Sequence, residues 1–302
     1  MDKYKQYIDV HWWNGIEKRD VENWIRNFGN SKELAQLILD NVIFYNGFQL
    51  KEYTRFLVNK LKEQVYMKTM EENHYSFVED EVLIRKWDDY LKQTKFVPAA
   101  LQSDPTSSAH KIIGYWRSAL RKGENLFSVI ADIDKNYKMG TRRFVLVDDF
   151  SGSGEQMQKV LKQRICFDGR DIEIGKLGDA VEDIELIIAV YVIHEKARTV
   201  LEEKYPNIKV IYVDLLDDNL NYMNKNSLIY EGIGFDKRQD ILNAIQRINE
   251  SIMEENDELI NLSTYILNIP VVFEHGCPNN TLLLLFAHSD NWQQLFKRGN
   301  EI

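Results

Sequence analysis

The sequence predicts an α/β fold, a mostly parallel, doubly wound sheet preceded by an all-helical module, and three patterns predict it. From about Val21 to Gln93 the apolar residues recur at helical spacing almost throughout. After Lys95 short apolar runs alternate with helical stretches, the rhythm of strand–helix–strand units. One of those runs, Phe144-Val145-Leu146-Val147, has no polar alternation at all, which marks a central strand covered on both faces.

In the first part, Val21, Trp24, Ile25 and Phe28 lie on one helical face. Gly29-Asn30 ends that helix, and Ser31 caps the next, whose stripe is Leu34, Leu37, Ile38 and Val42. Residues 50–70 and 82–91 read as two more helices. The stretch 1–93 has no strand pair and no catalytic constellation, so it is expected to be a packing or partner-recognition module. Its many aromatic residues, Trp12, Trp13 and Trp24 among them, are expected mostly in its core.

The second domain is expected over 94–302. Its strands are 96–101, 126–131, 144–147, 184–193 and 209–213, with helices at 110–122, 156–163 and 195–204 and a long amphipathic helix at 236–256. Near the end, 271–273 reads as a strand, 274–280 as a polar loop and 282–286 as another buried strand. The segment from about 257 to 302 completes this domain.

Composition narrows the function. A chain of 302 residues, 44% hydrophobic and 12% aromatic, can bury a sizeable core. A formal charge of −9 argues against an extensive nucleic-acid surface, which needs clustered Lys and Arg. The only cysteines, Cys166 and Cys277, fit a reducing cytoplasm. The first ten residues lack the apolar core of a signal peptide, and the longest apolar runs (186–193 and 282–287) are too short to span a bilayer. His11, His74, His110 and His288 show no metal-ligand spacing, and His275-x-Cys277 is a lone pair.

The chemistry concentrates where the Phe144 strand ends. Asp148-Asp149 follow it, then Phe150-Ser151-Gly152-Ser153-Gly154, then a helix beginning near Glu155. Ligands of such sheets bind outside the carboxyl ends of the strands. Small side chains there let backbone N–H groups approach an anion closely. The two carboxylates could accept hydrogen bonds from a ribose attached to a bound phosphate, or help hold a divalent cation. Other phosphate and nucleophile motifs do not match. No Lys follows Gly154 as a P-loop requires, Gly152 lies directly beside Ser153 where a nucleophile elbow needs a spacer, and Met157 stands where a dinucleotide fingerprint needs its third Gly. The structural alternative is a plain strand-to-helix turn with Ser153 as N-cap.

Asp148-Asp149-Phe150-Ser151-Gly152-Ser153-Gly154 resembles the PRPP-binding signature of type I phosphoribosyltransferases: four apolar residues, two acidic, two apolar, two of Thr/Ser type, then Gly. The form ending at Gln156, with the tail His275-Gly276-Cys277-Pro278-Asn279-Asn280-Thr281-Leu282 followed by Trp292 and Leu295-Phe296, is more closely similar to a divergent branch found in bacterial conflict systems. The resemblance runs from about Lys95 to the end of the chain.

That resemblance implies PRPP or a related nucleotide as ligand, with Mg²⁺ as cofactor. The 5′-phosphate would lie on Ser151, Gly152, Ser153 and Gly154, while Asp148 and Asp149 hold the ribose hydroxyls and the metal. Pyrophosphate would leave toward the loop 102–108, where Ser107 and Ser108 could donate hydrogen bonds and Lys111 or Arg117 could neutralise charge. His275, Asn279 and Asn280 would belong to the hood over the base. The branch implies an antiphage effector held in check by a partner, for example a retron-type reverse transcriptase, with the helical module contacting that partner or another copy.

Two departures matter. Glu155 puts a negative charge near the expected phosphate, and Gly152 stands where purine-salvage members carry an Asp that acts as general base. Both favour the alternative of a non-catalytic sensor; a regulatory scaffold is a third reading. His194, Lys196 and Asp214 also fall at strand tips, where function and ordinary structure are both open.

Overall fold

The computed structural model describes residues 3–104, 106–121, 123–254, 259 and 266–298. The first half of the chain forms α1 (Lys3–Asp9), α2 (Lys18–Arg26), α3 (Lys32–Asn41), β1 (Ile43–Tyr45), α4 (Gly47–Glu72), α5 (Asp80–Lys92), β2 (Thr94–Pro98), α6 (Ser108–Lys111), α7 (Ile113–Leu120), α8 (Ile133–Lys138) and β3 (Arg143–Ser151). The second half forms α9 (Glu155–Leu161), β4 (Arg164–Phe167), β5 (Arg170–Glu173), α10 (Leu177–Ala180), β6 (Glu185–His194), α11 (Glu195–Lys204), β7 (Lys209–Leu216), α12 (Phe235–Glu254), β8 (Val271–Phe273) and α13 (Leu283–Phe286).

By contacts the chain divides into two compact units, Leu50–Leu215 and a discontinuous one made of Met1–Gln49 with Leu216–Ile302. This division differs from a boundary near residue 93, and the packing explains why. Within the central unit α4 and α5 cover the sheet: the Thr54 hydroxyl of α4 lies 2.6 Å from the Tyr191 hydroxyl of β6. Within the discontinuous unit β1 pairs in parallel with β8, Ile43 opposite Val271 and Tyr45 opposite Phe273. The first part of the chain therefore contributes a strand, which three residues with a partner so distant in sequence could not announce.

The central unit carries the α/β fold. Its sheet has the order β2-β3-β6-β7, with β2–β3 and β3–β6 parallel. Alternate residues face opposite ways. Phe144, Leu146, Ile188 and Val190 meet Met157, Val160 and Leu161 of α9 and Ala197 and Leu201 of α11 in one core. On the opposite face Trp116 of α7 packs on Phe96, ring centroids 5.1 Å apart. Both faces are thus covered, as the unalternating run of β3 requires.

Three expected elements differ. Residues 126–131 form no strand. Phe127 makes one isolated parallel bridge to Phe96, and short 3₁₀ turns flank it at Glu124–Leu126 and Ile130–Asp132. The buried residues there, Leu126 and Ile130, are four apart, a helical spacing. Residues 282–286 are not a strand either: Leu283–Phe286 is a short helix with all four side chains buried, and so short an apolar run carries no period. The helix expected at 110–122 is broken at Ile112 and stopped by Arg121 in the left-handed region (φ 48°). An antiparallel hairpin, β4–β5, was not anticipated, although its Asp168-Gly169 turn, with φ of 49° and 72°, is the usual signal. The expected helix end at Asn256, and most of 257–265, lie outside the described residues.

In the discontinuous unit, Trp13, Trp24, Phe28, Phe44, Phe286 and Trp292 share one core. Among the described residues no helix is long and apolar enough to cross a membrane.

Candidate functional site

The strand β3 does not stop at Val147. It stays in register with β6 through Asp148 opposite Val190 and Ser151 opposite Ile193, so both aspartates lie inside the sheet. Asp148 is 2% exposed and Asp149 5%. Two adjacent carboxyl groups at such depth require partners. Asp148 Oδ1 accepts from the Asp149 N–H (3.0 Å), and Asp149 Oδ1 accepts from the Phe150 N–H (2.9 Å). Burial, and then the neighbouring Asp149 charge, push the Asp148 acid well above the usual carboxylate range.

Beyond Ser151 the chain turns sharply. Gly154 is the N-cap of α9 with φ 78°, and a Cβ placed on it would lie 3.2 Å from the Ala197 Cα of α11. Conformation and space both call for glycine there. The Ser153 hydroxyl accepts from the Glu155 N–H at 3.4 Å, but Ser153, the expected cap, lies one residue ahead of the observed cap Gly154. Gly152 and Gly154 are buried, yet among the described residues no backbone bond outside the helices and strands uses the N–H of Gly152, Ser153 or Gly154. Buried N–H groups in that position call for a partner.

The loop after β2 comes to the same place. The Gln163 side chain, just past α9, accepts from the Gln102 N–H (3.0 Å) and donates to the Ala100 carbonyl (3.3 Å), tying the loop to the neighbouring crossover. Ser108 Oγ then donates to Asp149 Oδ1 at 2.7 Å. Ser107, 6% exposed, buries a hydroxyl that has no hydrogen-bond partner among the described residues. The structure therefore joins Ser107, Ser108, Asp148 and Asp149 with the loop 151–154.

The remaining candidates make other contacts. Lys111 is exposed at the end of α6. Arg117 sits over the Phe127 ring (5.4 Å) in a cleft of about 450 Å³ that it shares with Pro98, His110 and Asp132. His275, Asn279 and Asn280 belong to the discontinuous unit. There the His275 ring packs 5.5 Å from Phe273, Asn279 Oδ1 accepts from Arg298 (3.1 Å), and the Asn280 carbonyl accepts from the Leu267 N–H (3.1 Å). His194 and Lys196 share a capping bond, the imidazole Nδ1 accepting from the Lys196 N–H at 3.2 Å.

The sequence did not point to Tyr53, Thr54 or Tyr191. The Tyr53 hydroxyl donates to Asp214 Oδ2 at 2.5 Å, and its ring lies 6.4 Å from that of Tyr191. One signal was present: Tyr191 is the only polar group in the run Leu186–Ile193 of β6.

Among the described residues no cluster of three or more His, Cys, Asp or Glu could hold a metal by itself. Two carboxylates at one strand end still suit Mg²⁺, which is held by one or two protein carboxylates with ligand phosphate oxygens and water completing its shell.

The PRTase-CE family model matches residues 21–298. The chain belongs to the PRTase-CE family. It is a phosphoribosyltransferase-like protein, and the match includes the helices from α2 onward as well as the sheet. No curated protein matches it.

Proposed function

We propose that this PRTase-CE protein binds PRPP, or a nucleotide or sugar phosphate built like it, at the carboxyl end of β3. The reading rests on one observation: the buried Asp148–Asp149 pair runs directly into a glycine turn whose N–H groups, among the described residues, make no backbone bond outside the helices and strands, and Ser108 ties the loop after β2 to that pair. The phosphate lies on Ser151, Gly152, Ser153 and Gly154, with the ribose hydroxyls on Asp148 and Asp149. Pyrophosphate lies toward Ser107 and Ser108, and Lys111 and Arg117 supply positive charge at the outer side of that loop. Mg²⁺ offsets the negative charge of the phosphates and of the developing leaving group. Its charge would also offset the burial and the Asp149 charge that raise the Asp148 acid.

The proposed setting is the cytoplasm, as an effector in bacterial antiphage defence working with a partner such as a retron-type reverse transcriptase. Both cysteines are free thiols, in keeping with a reducing compartment. The turn between α4 and α5 offers a contact surface, with Phe77 90% exposed and Tyr75 and Ile84 exposed nearby. The test is calorimetry of the full chain with PRPP, with and without Mg²⁺, beside an assay for released pyrophosphate. Mg²⁺-dependent binding with release supports an enzyme. Binding without release supports a sensor, a second reading favoured by Gly152 in the place of a general base. No binding refutes both.

A further inference from the structure

A row of polar side chains runs from the acidic pair across the sheet. Register places Asp149 level with Tyr191, between the pairs Asp148–Val190 and Phe150–Val192. The Tyr191 hydroxyl lies 2.6 Å from Thr54 of α4, which itself donates to the Leu50 carbonyl (2.8 Å). One residue earlier on α4, Tyr53 packs edge-on to Tyr191 and donates to Asp214 of β7. Asp214, on a strand two away from β3 in the order β3-β6-β7 (~10 Å at ordinary strand spacing), is thus tied through Tyr53 to the Tyr191 side chain. It is half-buried, as is Tyr53. Burial and the Asp214 carboxylate both raise the Tyr53 hydroxyl above its ordinary range, so it remains a donor and keeps Asp214 an acceptor.

A helix needs no tyrosine–aspartate pair to pack on a sheet, and an apolar contact would serve as well. Transfer from PRPP, in contrast, is helped by a group that takes the acceptor's proton, and Gly152 stands where a loop carboxylate would do so. We propose that Asp214, oriented by Tyr53, is that general base; the inference rests on the sugar-phosphate reading above. In the step, an acceptor N–H or O–H attacks the anomeric carbon. The bond from that carbon to the pyrophosphate oxygen breaks, its electron pair leaves with pyrophosphate, and the acceptor's proton passes to the Asp214 carboxylate. With water as acceptor the products are ribose 5-phosphate and pyrophosphate.

The experiment uses the full chain with PRPP and Mg²⁺, measuring binding by calorimetry, pyrophosphate release and the thermal midpoint. Asp214→Asn is expected to bind PRPP like the parent while release falls by ~100-fold or more, the usual contribution of a general base. Tyr53→Phe is expected to lower release less, with binding unchanged. Formate added to Asp214→Ala is expected to restore part of the release, which a structural role for Asp214 would not allow. Parental release by Asp214→Asn, or release lost only in step with binding, overturns the assignment. A parent that binds PRPP but releases nothing overturns it too and leaves the binding reading standing. A parent that does not bind PRPP overturns both.

Discussion

Ser108 Oγ donates a 2.7 Å hydrogen bond to Asp149 Oδ1, and that bond carries the first residue of α6 onto the tip of β3. Two loops far apart in sequence are joined through one carboxylate. The neighbouring Ser107 hydroxyl is buried without a partner among the described residues. The arrangement combines a satisfied anchor with an unsatisfied donor beside the acidic pair.

Ser108→Ala should therefore destabilise the protein by about 1–3 kcal/mol, the range for a lost hydrogen bond to a charged group, while Asp149 Oδ1 keeps the Phe150 N–H. Ser107→Ala should cost almost nothing, because that hydroxyl bonds none of the described residues. Chemical denaturation of both variants checks the contrast. Equal losses would mean that the two hydroxyls are not distinguished in solution.

Asp148 makes a pH prediction. Its folded-state acid constant is raised, first by burial and then by Asp149, so the stability linked to it is fully present below the unfolded value near ~4 and is lost as pH rises through the raised value. Asp148→Asn removes that loss. The variant should melt higher than the parent at neutral pH, and the difference should shrink as pH falls toward 5. Melts across pH 5–8 read it directly, and a difference that grows toward acid would contradict the sign.

At the turn, Gly154→Val should cost about 1–3 kcal/mol from backbone strain alone, with further loss from the approach to Ala197. It should also weaken sugar-phosphate binding more than Ser153→Ala, which removes one hydroxyl and leaves the backbone in place. Denaturation and calorimetry on the two variants separate the effects. Equal binding by both would show that the backbone does not form the cradle.

Much of this was legible in advance. The unalternating apolar run of β3 gave its central place, and Asp148 to Gly154 gave the turn, because both depend on neighbours in sequence. Three features were not legible, for one shared reason. The β1–β8 pair, the helical form of Leu283–Phe286 and the Tyr53–Asp214 bond are decided by contacts between distant segments, and a short apolar run or a lone polar residue in a helix leaves no local trace of them. The depth of the acidic pair was also missed. β3 continues through Ser151, so the carboxylates are inside the sheet and one is driven toward its neutral form.

The same contacts bear on the helical part. A chain starting at residue 92 loses β1, the partner of β8, and loses α4, whose Thr54 meets Tyr191. Such a chain should unfold at markedly lower denaturant concentration than the parent and less cooperatively. A truncated chain with parental stability would make residues 1–91 a separable partner-binding module.

The central claim is that the Asp148–Asp149 pair holds a sugar phosphate. Calorimetry with PRPP and Mg²⁺ on the parent and on the variant carrying both Asp148→Asn and Asp149→Asn tests it most directly, with the melt of each protein recorded alongside. The account predicts Mg²⁺-dependent binding by the parent and none by a variant that remains folded; a folded variant that binds PRPP as the parent does would contradict it.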